Sequence, residues 1–347
     1  MDVTALAVGS AWVASSAVFS TFGNSLFLRT FGDEFAHTFV RFGFSSVVGI
    51  IVAAVFGYSL PHSLPTLARR LMLPSFFLLS ANLLNSMGIV RAGVTVTYVV
   101  KSLIPLFTVI ICRFQGQHFG RAIYASLLMT CLGVAVASAT DLEFDWRGFL
   151  GAMGSAWSQT LLSITSKARI KELRLSGFEA FFVMVTICTL LSAPLLILSA
   201  VMCPTGLMQA LLQGFHPDSS TNVSVGLTVL IAALAYNVEY MLNFLLLPRC
   251  GVLALSVADV SRRSGTILVG VVLYGKPLTF CTMAGVAMSL LGVVAYSVVS
   301  MRATAAGEAK GDDGRAQRHR DGAWASHYAA KDAGMQGPVR GAAGRCL

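Results

Sequence analysis

Charge is what this chain has least of. Only 12% of its 347 residues are Asp, Glu, Lys or Arg, while 55% are hydrophobic, and the mean hydropathy is +0.73. Soluble domains carry about 25% charged residues, so the shortage excludes a soluble globular protein. Regular alternation of apolar and polar residues is also missing. That excludes a transmembrane barrel and leaves helices, since backbone groups in lipid must be satisfied internally. The seven cysteines are scattered, with none at metal-ligand spacing, and read as small apolar packing residues. No metal and no cofactor is expected. The span centres carry no His, no paired carboxylates and no nucleophile–base pair, so no catalytic residue is assigned and an enzyme is not expected. The formal net charge of +9 would suggest nucleic acid only with a soluble basic face, and the chain offers none.

What is present is a series of apolar runs about 20 residues long, enough to cross a bilayer. The expected fold class is an all-α polytopic membrane protein with ten transmembrane helices. They fall at roughly 5–28, 36–58, 72–90, 94–112, 121–139, 147–166, 178–203, 224–247, 252–274 and 278–299. Basic residues concentrate in the loops that follow even-numbered spans (Arg69 and Arg70, Arg113 and Arg121, Lys167 to Arg174, Arg249). That asymmetry puts both termini in the cytosol. With so short a lead before the first run, no transit presequence is expected. Residues 302–347, rich in Ala, Gly and charge, are expected to form a disordered cytosolic tail. Asn222-Val223-Ser224 is a glycosylation sequon on the side opposite the basic loops.

The two halves end alike. At an offset of 159, Cys112 to Ser138 lies over Val271 to Ser297 without gaps, with Leu132-Gly133-Val134 on Leu291-Gly292-Val293. Five spans per half is an odd number, so the halves would be inverted with respect to each other. This gives a ten-helix transporter domain over 1–300, as two inverted five-helix repeats of about 1–139 and 147–300. Inverted repeats hold their substrate near the midplane, between the halves.

Two spans carry buried cations. In Val252–Tyr274, Arg262 and Arg263 sit near mid-membrane, where each Arg costs about 2.5–3.5 kcal/mol on insertion scales. Asp259 precedes them by three and four residues, close enough to neutralise one. In the fourth span Thr97, Lys101, Pro105 and Thr108 share a face. Lys101 either snorkels to the interface or, in register with the arginines of the other half, faces a cavity. Pro105 should bend the helix just past it. Asn82, Asn85 and Ser86 stripe the third span. Tyr236, Glu239, Tyr240 and Asn243 stripe the eighth, and Thr21, Asn24 and Ser25 the first. Glu239 is either protonated, paired with a cation of the site, or set against the wrong substrate. Gly148, Gly151, Gly154, Ser155 and Ser158 make a close-packing face on the sixth span.

The segments VTVTYVVKSLIPLF (94–107) and LSVADVSRRSGTILVGVVLYGKPLTFCTMAGVAMSLLGVVAYS (255–296), with Ser166-Lys167, resemble the triose-phosphate translocator family. That family belongs to the drug/metabolite transporter superfamily, which also holds nucleotide-sugar carriers. The resemblance runs from about Trp12 to Ser300. It implies that Lys101 contacts substrate phosphate and that Arg262 and Arg263 stand for a Lys-Arg pair. Asn82 and Asn85 stand where the family has His and Thr. Glu239, or Tyr240 after a one-residue shift, stands where it has Tyr, and Asp259 where it has Asn. The GALNK signature of GDP-mannose carriers is absent.

The implied activity is secondary transport of a phosphorylated organic solute, a sugar phosphate or a nucleotide sugar, by alternating access. Lys101, Arg262 and Arg263 would form a cationic phosphate clamp, with Asn82, Asn85, Thr97, Glu239, Tyr240 and Asp259 around it. Closing an empty site would bury uncompensated cations, so obligatory exchange is expected. The expected partners are the solute, its counter-substrate, membrane lipid and, as an option, a second copy in a homodimer. Golgi or another endomembrane is the expected compartment ahead of a plastid-type organelle. The alternative is a non-transporting membrane scaffold or regulator with a degenerate carrier fold.

Overall fold

The computed structural model describes residues 3–56, 63–114, 116, 119–139, 145–202, 219–246, 262, 265, 266, 269 and 279–309. These residues are helical, with no strand among them. The first apolar run forms α1 (Val3–Ala14), a widened π-helical turn (Ser15–Ser20) and α2 (Thr21–Phe31). Gly32 ends α2 with φ of 63°, a left-handed conformation that costs glycine little, and its N–H reaches the Leu28 carbonyl at 2.9 Å. Asp33 then starts α3 (Glu34–Phe56) by accepting from the Phe35 and Ala36 amides at 3.0 and 2.9 Å.

The longest helical run, α4 (Leu64–Lys101), is two helices, broken at Gly93 (φ 80°, ψ 170°). In an unbroken helix Asn85 and Lys101 would stand about 24 Å apart. Instead the Lys101 ammonium donates to the Asn85 side chain at 2.8 Å, and a Cβ on Gly88 would lie 3.0 Å from the Thr97 hydroxyl. The chain therefore reverses at Gly93, and its two limbs run side by side. The first limb covers the expected third span, and the second covers only the start of the expected fourth, 94–112. The third starts at Leu64 rather than at 72.

After Lys101 the helix stops. Ser102 and Leu103 make three-residue bonds back to Val99 and Val100, both 3.0 Å, before α5 (Ile104–Phe114) begins. Pro105 has no N–H to give to the Lys101 carbonyl, so the break expected from it falls where it should.

The remaining helices are α6 (Arg121–Ala139), α7 (Trp146–Leu173), α8 (Gly177–Met202), α9 (Ser219–Leu246) and α10 (Phe280–Ala309). Five described helices, α3, α4, α8, α9 and α10, are long and apolar enough to cross a membrane. Residues 1–300 form one compact unit and 301–347 a second. Residues 302–309 belong to α10, although they were expected in a disordered tail. Their alanine content favours helix. The ninth expected span lies outside the described residues except at 262, 265, 266 and 269.

Small residues set the closest helix contacts. On α7, a Cβ at Gly148 would come within 2.7 Å of the Ala92 backbone nitrogen and one at Gly151 within 3.2 Å of the Leu84 carbonyl, as the small-residue face predicts. Between α6 and α10 the contacts come in matched pairs. A Cβ at Gly133 would overlap the Ser289 backbone and approach the Gly285 carbonyl. One at Gly292 would overlap Thr130 and approach the Ser126 carbonyl. Each second contact is the first with its partners exchanged at the offset of 159, and the two helices cross antiparallel.

Ion pairs close both ends of the contact between α7 and the first limb of α4. Arg70, early in α4, reaches Glu172 at the end of α7 at 3.4 Å. At the other end of the same helices, Arg91 lies 4.0 Å from Asp145.

Candidate functional site

Inside residues 1–300 lies a cavity of about 230 Å3. Its cationic lining residues are Arg41, Lys101, Lys167 and Arg262, and Glu239 is the one carboxylate among the described lining residues.

Lys101 owes its place to the hairpin. The reversal at Gly93 brings it beside Asn85, and its ammonium sits 5.5 Å from the Tyr98 ring centre. Lys101 and Asn85 are 8% and 5% exposed. Asn82, one turn earlier, donates to the Leu78 carbonyl at 2.8 Å and to the Tyr240 hydroxyl at 3.3 Å. Thr97 is also buried, but its hydroxyl donates to the Gly93 carbonyl at 2.7 Å. It braces the hairpin turn and is not among the cavity-lining residues.

Arg262 is held differently. Its Nη1 lies 3.2 Å from Glu239 Oε1 in an ion pair whose side chains are 10% and 11% exposed. The same nitrogen donates to the Ser16 hydroxyl at 3.1 Å, and the Trp12 ring covers the guanidinium at 5.4 Å. Ser16 donates to Glu239 Oε1 at 2.8 Å, and Ser20 donates to Oε2. Both serines lie in the π-helical turn of the first span, a local widening that recurs at functional sites. Of the readings open for Glu239, the geometry is that of pairing with a cation of the site. Arg263 and Asp259 lie outside the described residues, so the expected Asp259–Arg pair is not described. The described carboxylate on Arg262 comes from α9.

The buried cation that sequence reasoning missed is Arg41, on α3 and 2% exposed. Its Nε donates to the His37 carbonyl (3.3 Å), Nη1 to Asn24 (3.2 Å) and Nη2 to Ser86 (3.3 Å). The Tyr236 ring lies 4.8 Å below it. Asn24 passes the connection on by donating to Ser20 at 3.1 Å. A hydrogen-bonded chain thus runs Arg41–Asn24–Ser20–Glu239–Arg262. The signal was available: an Arg within an apolar run carries the same insertion cost that singled out Arg262.

The family model for the Triose-phosphate Transporter family matches residues 3–297. The chain belongs to that family. Its members are transporters, which fits the expectation of a non-enzyme. A triose phosphate/phosphate translocator of non-green plastids from Brassica oleracea is 26% identical over 83% of this chain and 71% of its own length. One from Flaveria pringlei is 27% identical over 63% of this chain and 52% of its own. Phosphoenolpyruvate/phosphate translocator 3 of rice is 27% identical over 83% and 72%. The chain thus spans between about half and seven-tenths of the length of these relatives. All three are named as chloroplastic, so they lend no support to a Golgi or other endomembrane placement. A crystal structure matches with TM-score 0.57 at 18% identity, covering 87% of this chain and 99% of its own. That likeness shows the fold alone.

Proposed function

We propose that the protein moves a phosphorylated organic solute across its membrane by alternating access, favouring exchange against phosphate or a second phosphorylated solute. The observation that carries this is the cavity: Arg41, Lys101, Lys167 and Arg262 line it against one described carboxylate. Arg41, Lys101 and Arg262 are buried, and several cations gathered on one cavity suit an anionic solute. Arg is suited to grip phosphate bidentately. Lys101 and Arg262, with Arg263 beside it in sequence, form the phosphate clamp. Asn82, Asn85 and Tyr240 face the rest of the solute, and Thr97 is assigned to the turn. A cavity of about 230 Å3 lies below the usual range for drug-sized ligands. A sugar phosphate suits it better than a nucleotide sugar, which adds a base, a ribose and a second phosphate.

Ten helices in two inverted repeats remain our architecture. The matched contacts of Gly133 and Gly292 support it, because exchange of partners at the repeat offset is what a two-fold relation between halves produces.

The test is a thermal-shift panel on purified protein, since stabilisation follows occupancy. Sugar phosphates and phosphoenolpyruvate should raise the unfolding temperature of the wild type and not of Lys101→Gln. If no phosphate compound shifts the wild type, the carrier reading fails and the scaffold alternative gains.

A further inference from the structure

We propose that Glu239 is a built-in counter-anion, which occupies Arg262 when the cavity is empty and lets the unloaded carrier change sides, so that the protein also mediates net uptake of phosphate compounds without a counter-substrate. This rests on the transport reading above and changes its expectation of obligatory exchange.

Obligatory exchange follows only if closing an empty site strands buried cations. Arg262 is not stranded here. Its Nη1 meets Glu239 at 3.2 Å, in a pair about nine-tenths buried. The carboxylate is itself held by Ser16 and Ser20, and in each of these contacts it accepts. The guanidinium nitrogen that Glu239 occupies is one that a phosphate oxygen would take. Substrate and Glu239 therefore compete for one cation, and either offsets the cost of burying it.

A phosphate compound brings more negative charge to the cavity than Glu239 alone, so empty return is slower than exchange but open.

The experiment uses the full chain in liposomes, with 32P-labelled inorganic phosphate as probe and the membrane potential clamped by potassium and valinomycin. Uptake is compared between vesicles loaded with phosphate and vesicles without it, for wild type, Glu239→Gln and Glu239→Asp. Wild type should take up label in both, faster when loaded. Glu239→Gln should lower the ratio of unloaded to loaded uptake by about tenfold or more, and it should lower KM because Arg262 loses its competitor. Glu239→Asp, which keeps the charge, should hold a ratio near that of the wild type.

Wild-type uptake in loaded vesicles only would overturn the inference and leave exchange standing. A parallel fall of both rates in Glu239→Gln, with the ratio unchanged, would mark a structural role and overturn it as well. No uptake in either vesicle would sink the inference together with the reading it rests on. Where Glu239→Gln does not fold, the wild-type comparison still decides.

Discussion

At the crossing of α6 and α10 the contacts are matched, Gly133 against Ser289 and Gly292 against Thr130. At the cavity each half places a buried cation, and the described partners of the two differ. Lys101 meets the amide of Asn85 at 2.8 Å, whereas Arg262 meets the carboxylate of Glu239 at 3.2 Å. The crossing is a packing problem, and the same small residues solve it twice. The cavity is an electrostatic problem, and a solute with one phosphate at one end gives no reason for the halves to agree. Under the repeat and the transport reading proposed above, departure from the repeat is where specificity would be decided.

The largest effect should come from Arg262→Ala. It leaves Glu239 buried without its cation, and breaking such a pair costs about 3–5 kcal/mol. Thermal unfolding should show that loss together with loss of transport. Adding Glu239→Gln should recover much of the stability and none of the transport. If the double variant is no more stable than Arg262→Ala, the ion pair does not couple the two sites.

Next comes the crossing. Gly133→Ala and Gly292→Ala would each push a methyl into backbone of the other helix, and overpacking of that kind costs about 1–3 kcal/mol. Because their contacts are matched, the two variants should lose similar amounts of thermal stability. A large inequality would break the two-fold relation and with it the comparison.

These two regions were not equally legible in the sequence. The crossing was visible as Leu-Gly-Val repeated at a fixed offset, because a helix that must approach another closely keeps its glycine. Lys101 and Arg262 were visible because charge in an apolar run is costly wherever it points. Their partners were not. Glu239 and Arg262 are 23 residues apart, and Ser16 is 246 residues from Arg262. No local spacing links them, so the nearer Asp259 looked like the natural partner. The π-helical turn that aims Ser16 and Ser20 at Glu239 has no period to find. Thr97 shared a helical face with Lys101 as expected, yet the hairpin at Gly93 turned its hydroxyl to a carbonyl.

Arg→Lys changes at both buried arginines sharpen the contrast. Arg41 spends Nε, Nη1 and Nη2 on three separate acceptors, a fork that an ammonium cannot reproduce. Arg41→Lys should therefore cost about 1–3 kcal/mol, the penalty of buried groups left without partners. Arg262→Lys puts in the residue that the family resemblance implies here and keeps a cation beside Glu239. It should lose under about 1.5 kcal/mol, the net worth of an ordinary hydrogen bond. Thermal unfolding measures both, and a larger loss for Arg262→Lys would reverse the assignment of Arg41 as the more rigidly held charge.

The smallest effect is expected at Thr97. Its hydroxyl donates to the Gly93 carbonyl at 2.7 Å, and its side chain fills the space beside Gly88, where a Cβ would come within 3.1 Å of its methyl group. Thr97→Val keeps that shape and removes one hydrogen bond, which costs about 0.5–1.5 kcal/mol. Because the bond braces a turn, the loss should appear in unfolding temperature alone. Stabilisation by phosphate compounds should match the wild type, in contrast to Lys101→Gln four residues on. If Thr97→Val instead weakened ligand-dependent stabilisation without lowering the unfolding temperature, the hydroxyl would be a solute contact. The turn at Gly93 would then be held by its φ preference and packing alone.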